Sequence, residues 1–176
     1  RQEKERNQPM DTIRADNFCT TSGLLTATGA ETVHDTTVTI GFCVNGKALT
    51  KTAITDGATP TTDYNTSAAF PAVVGGGSVA GAYGNGCIVV WALNASGTVK
   101  CMQGPQKALD VDGNFVNAPQ FPAVPDDVTP FAYQVLKAKN TASATTVIFG
   151  TANWNATGFT NAVVNVFTLP KRPQVA

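Results

Sequence analysis

The chain contains a single histidine, His34, followed directly by Asp35. A Ser-His-Asp or Cys-His nucleophile would have to be assembled around that imidazole. No Gly-x-Ser-x-Gly elbow accompanies it, and it stands among Glu31, Thr32, Val33 and Thr36 at the start of a β-type run. The expectation is an exposed turn histidine with no catalytic role. One histidine also leaves no multi-histidine metal set.

The carboxylates offer two further candidates. Asp110-Val111-Asp112-Gly113-Asn114 has a spacing that can converge oxygens on a hard cation such as calcium. An EF-hand loop, however, needs a bidentate glutamate at its twelfth position. Here that position is Phe121, and no helical pattern flanks the loop. Asp-Gly and Asx turns account for the same residues. Asp126-Asp127 resembles a catalytic acid pair, but neighbours on an extended chain point in opposite directions, and carboxylates are too few to favour a glycosidase. Gly75-Gly76-Gly77 and Gly84-Asn85-Gly86 are not followed by Gly-Lys-Ser/Thr, so they form no phosphate loop. They read as a flexible connection or a place where backbones approach closely. No catalytic, cofactor-binding or metal-binding residue is assigned, and the chain is not read as an enzyme.

The aromatics Trp91, Trp154, Tyr64, Tyr83 and Tyr133 could stack on sugars, with Asn153-Trp154-Asn155 the most suggestive. Trp91 lies in a continuously apolar run and is expected in the core. Core or subunit interface is also the favoured place for Trp154. Asn65-Thr66-Ser67, Asn94-Ala95-Ser96 and Asn155-Ala156-Thr157 fit the glycosylation acceptor pattern, as chance allows in a chain so rich in Asn and Thr.

The elements that position these residues are strands. Thr36 to Val44 alternates small or polar with apolar residues and places Val38, Ile40, Phe42 and Val44 on one face. Asn45-Gly46 is a strong hairpin signal, because both turn positions need positive φ. The return strand is expected from Lys47 to Ile54. Residues 56–86 read as loop, with a short strand possible around Val73, Val74 and Val79. A second hairpin runs from Cys87 to Leu93, turns at Asn94-Ala95-Ser96-Gly97, and returns from Thr98 to Met102. Its first strand is continuously apolar, which suits a central strand covered on both faces. Residues 104–130 carry five prolines and are expected as an extended crossing loop. Phe131 to Lys137, Thr145 to Thr151 and Ala162 to Leu169 complete the strands, and no segment has an amphipathic helical pattern. Thr and Val favour strands over helices. The fold class is therefore all-β: an antiparallel β-sandwich or β-barrel with long loops and an extended N-terminal arm. The expected domains are the arm at 1–17, one β domain at 18–170, and a tail at 171–176.

Composition narrows the partners. The 176 residues suit one domain, long enough to bury roughly 70% of the unfolded surface. Charged residues are 14%, against about 25% in a typical soluble domain. Twelve basic residues balance twelve acidic ones, so no net field recruits nucleic acid or an anionic membrane, while near-zero net charge favours self-association. No apolar run approaches the ~20 residues that span a bilayer, and no apolar signal-peptide stretch opens the chain at Arg1. Cys19, Cys43, Cys87 and Cys101 are too widely spaced for a CxxC zinc site. They allow three disulfide pairings, or they can be free buried thiols.

Several phrases resemble a known group. They are Gly46 to Lys51, Asp56 to Asp63, Leu93 to Lys100, Gln103-Gly104-Pro105, Ala118 to Pro122, Asn153 to Gly158 and Leu169 to Pro173. Across about residues 33–173 the chain resembles the small β-rich virion proteins of tailed bacteriophages, of the capsid decoration or cement kind. The resemblance implies no catalytic residue and no cofactor. It implies attachment to the outside of the capsid, major capsid protein as partner, self-association as a homotrimer, and assembly in the host cytoplasm. It also favours free thiols over disulfides. The arm and the loops at 56–86 and 104–130 are the expected contact regions. The alternatives are a carbohydrate- or receptor-binding module of a phage fibre or surface adhesin, with Trp154 as its contact, and a disulfide-bonded fimbrial or secreted β-sandwich.

Overall fold

The computed structural model of the chain describes residues 17–27, 32–77, 79–140, 146–154, 156 and 158–175. The expected arm therefore lies outside the described residues except for Asn17. In chain order the strands are β1 (Phe18–Cys19), β2 (Leu25–Thr26), β3 (Val33–Thr36), β4 (Ile40–Val44), β5 (Lys47–Lys51), β6 (Gly57–Ala58), β7 (Val73–Val74), β8 (Tyr83–Asn94), β9 (Val99–Gln103), β10 (Lys107–Ala108), β11 (Val128–Lys139), β12 (Thr146–Val147) and β13 (Phe159–Asn165). There is no helix among the described residues, and every strand pairing is antiparallel. The fold is all-β and sandwich-like, with no sheet closed into a barrel.

Two strands of 12 residues, β8 and β11, form the spine. β9 and β10 pair with the other edge of β8, and β13 with the other edge of β11. Smaller sheets, β1–β4–β5, β2–β3–β6 and β7–β12, lie around this one. Alternation along β8 divides the interior. Cys87, Val89, Trp91 and Leu93 face one cluster with Ile40, Phe42 and Val44 of β4 and with Phe131 and Leu136 of β11. Ile88, Val90 and Ala92 face a second cluster with Met102, Tyr133 and Val135. That second face is covered by loop and tail, through Tyr64, Phe115, Phe121, Val166 and Leu169. The expected central strand is thus covered on both faces.

Several boundaries differ from expectation, each for a local reason. The run from Thr36 to Val44 is not one strand. Thr36 is tied to Ile54 by its own N–H and by its hydroxyl, both at 2.9 Å. The chain then crosses at 37–39 to a different sheet, leaving Val38 37% exposed. Pro130 lies inside β11, where a register shift between Pro130 and Ala132 removes the need for a proline donor. The same shift sends Phe131 and Ala132 to one core cluster. The return strand stops at Lys51 rather than Ile54. Of the described residues 146–151, Thr146 and Val147 pair, and Thr151 and Ala152 then turn back onto the Ile148 carbonyl. The last strand is Phe159–Asn165, earlier than expected.

Gly84 and Gly86 belong to β8 rather than to a loop. A Cβ at Gly84 would overlap the Val74 carbonyl oxygen and the Gly75 backbone, so glycine is required there by close approach. Gly46, by contrast, has φ 75° and open space around it. Gly84→Ala should therefore cost about 2 kcal/mol or more through backbone displacement, and Gly46→Ala about 1 kcal/mol through turn strain. Urea unfolding of the two variants checks that order.

Candidate functional site

Each residue that invited a chemical reading has a structural place. His34 is not exposed, as expected from sequence, but 2% accessible. It sits in β3 with its ring centroid 4.9 Å from that of Trp91. Neither ring nitrogen has a hydrogen-bond partner. The Gly57 backbone is close enough to attract an imidazolium proton but does not reach hydrogen-bond geometry with the ring. Burial, opposed by Asp35 and the Gly57 backbone and slightly aided by Lys51, lowers the His34 pKa to about 4. The exposure expectation failed because β3 points His34 inward, as alternation from half-buried Val33 requires.

The other candidates are turn and core pieces. The Asp110 carboxylate accepts the Asp112 and Asn114 N–H groups at 2.9 and 2.8 Å, which lowers its pKa. The loop is an Asx turn closed by the Leu109–Phe115 bridge, with Gly113 at φ 82°. Asp126 and Asp127 lie in a turn before β11 rather than on extended chain. The Asp127 carboxylate accepts the Tyr64 hydroxyl at 2.5 Å, and the Lys100 ammonium lies 5.0 Å from the centroid of the Tyr64 ring. Among the described residues, no three His, Cys, Asp or Glu side chains converge as metal ligands would. Trp91 is fully buried and donates to Gln134 at 3.2 Å. Trp154 is buried and donates to the Val33 carbonyl at 2.6 Å, which withdraws the residue a glycan-binding reading would use. Asn65 donates to the Ala123 carbonyl, and Asn94 accepts from Ser96 and Thr98 within its turn. Asn155 lies outside the described residues.

All four cysteines are free and buried. Burial pushes the Cys19 and Cys87 thiols up to about 12 and raises Cys101 as well, with the Asp63 charge adding to the last.

What remains outward is a sheet edge beside a groove. β5 ends its sheet. The two-residue turn at Asn45-Gly46, with φ 51° and 75°, fixes the β4–β5 register. In that register the Val44–Lys47, Phe42–Leu49 and Ile40–Lys51 pairs exchange hydrogen bonds, so the N–H and C=O of Ala48 and Thr50 face away from β4. Both residues are exposed. On the outer face of the same sheet, Phe18, Gly41, Cys43, Ala48 and Thr50 line an open groove of about 800 Å³. Asn17 anchors one end of it, donating to the Asp126 and Val128 carbonyls and accepting the Asn45 N–H at 2.7 Å. The hairpin was readable from Asn45-Gly46. That β5 is an edge was not, although the lysines at both its ends are a common edge signal.

Comparison with known protein families, with curated proteins and with solved structures finds no match.

Two predictions follow from the buried groups. Between about pH 6.5 and 4 the unfolded chain takes up a proton that folded His34 refuses. Its stability contribution is thus complete above pH 6.5 and is lost as pH falls toward 4, by about 3 kcal/mol. Urea titrations across that range should show the loss in the parent and a flatter profile in His34→Leu. Thiol titration should find four reactive groups in denaturant and slow reaction in the native state; two or fewer in denaturant would mean that disulfides form.

Proposed function

We propose that this chain is a bacteriophage virion structural protein, a capsid decoration protein. In this reading it binds the outer surface of the shell and bridges major capsid subunits as a homotrimer. The supporting observation is the open edge of β5 beside its apolar groove, a surface built for chain-to-chain contact. An extended segment of a neighbouring protein can add to that edge by backbone hydrogen bonds and set side chains into the groove. Pairing of β5 with its own copy in the register centred on Leu49 would bring Lys47 of one copy against Lys51 of the next, and like charges placed opposite each other are unfavourable. The edge is therefore better matched to a different chain.

The work of such a protein is mechanical. Many modest interfaces attached at once give a lattice far more hold than any one of them. The shortage of charge and the burial of reactive groups fit a protein that acts by contact.

Particles lacking this protein should lose DNA at lower temperature and under milder osmotic shock than complete particles. Adding the purified protein back should restore resistance. Thr50→Pro, which removes an outward donor at the edge, should fold but bind shells at least about tenfold more weakly, the order expected for losing one or two interfacial hydrogen bonds. Equal resistance of the two kinds of particle, with no copies on the shell, would overturn the proposal.

A further inference from the structure

A second recognition surface lies on the far side of the spine, where the C-terminal tail crosses the second core cluster. Leu169 packs on that cluster. Five residues on, the tail is held by a reciprocal pair: the Tyr133 hydroxyl accepts the Gln174 N–H at 2.8 Å and donates to the Gln174 carbonyl at 3.2 Å. Phe121 stacks edge-on against Tyr133 at 5.1 Å. Tail and loop are thus fixed relative to each other, and between them run two adjoining cavities of about 240 and 430 Å³. The two share Ala118, Pro119, Arg172 and Pro173, so they form one cleft.

The charges of this cleft are of one sign. Lys137, Lys171 and Arg172 are its only ionisable lining residues among those described. Lys171 and Arg172 are exposed, and their neighbours Pro170 and Pro173 restrict the backbone that carries them. Apolar wall segments, Pro119, Pro173, Phe115 and Phe121, stand between the cations beside the amides of Asn114 and Gln120.

We infer that this cleft binds an acidic peptide segment, one in which carboxylates alternate with aliphatic side chains. The cations set the sign of the ligand, and arginine provides a planar fork suited to a carboxylate. The proline and aromatic walls call for apolar side chains between the charges. A sugar or a nucleic acid base would want a free aromatic face. Here the Lys137 ammonium lies 5.8 Å from the centroid of the Phe115 ring, and Phe121 is engaged by Tyr133. This inference stands apart from the β5 edge and does not require the decoration reading.

The test is titration of the full chain with a capped hexapeptide alternating glutamate and leucine, followed by calorimetry and by the aromatic NMR resonances of Phe115 and Phe121. The expected result is saturable binding that moves both sets of resonances and weakens as salt rises. Lys171→Glu combined with Arg172→Glu should weaken it by about tenfold or more, from two reversed exposed pairs. Both residues are exposed, so an unchanged thermal midpoint should accompany the loss. Lys47→Glu combined with Lys51→Glu, an equal change in net charge placed on β5, should leave the affinity within about twofold. Equal binding of the glutamine-leucine hexapeptide, or insensitivity to the Lys171 and Arg172 reversal, would overturn the site. Tighter binding of an oligogalacturonate or of oligothymidylate at the same resonances would overturn the assigned occupant.

Discussion

The constraint on which the rest depends is that the β8–β11 pair is buried on both faces. A strand with side chains inside on both sides cannot expose either face, so every other part of the chain is recruited as cover. On one side that cover is β4 with its neighbours and the aromatic group around Trp91, in which Phe149 and Trp154 stand 5.4 and 6.3 Å from its ring. On the other it is not a sheet at all but the proline-rich crossing loop and the tail. Pieces as short as β1, β2, β6, β7 and β12, two residues each, could not persist alone. They are ordered because they close over the spine.

The same constraint decides what becomes of the polar side chains. Cover made of loop exposes backbone donors and acceptors that must be satisfied, and the chain uses its Asp and Asn residues for this. Asp63 accepts the N–H of Asn65 and of Gln103, joining a turn to β9. Asn165 accepts the Leu25 N–H, joining β13 to β2. Asp35 accepts the Asp56 N–H across the β3–β6 connection. Carboxylates and amides that look like chemistry in a list of residues are thus tied to the backbone.

How much of this was legible follows from range. Patterns decided within a few residues were readable: the apolar run of β8, the turns at Asn45-Gly46 and Asn94 to Gly97, the Asx turn at Asp110 and the core position of Trp91. Features decided by distant partners were not. His34 was read as exposed because its neighbours in sequence are polar. Its burial comes from Trp91, 57 positions away along the numbering. Pro130 read as loop because the bulge that admits it is made with β8. The edge status of β5 is likewise a property of the sheet, since no local pattern states which strand has a neighbour on only one side.

The arrangement of the two outward surfaces carries a mechanical argument. The β5 groove belongs to the cover on one face of the spine, and the basic cleft to the cover on the other. A ligand at either one leaves the other free. Between them stands the β8–β11 pair of the five-stranded sheet, packed on both sides. Load passing from one surface to the other would cross both core clusters and the β8–β11 pair between them. A body that held two neighbours by the same face would only occupy space between them. One that holds them by opposite faces makes their separation cost the rupture of an interface.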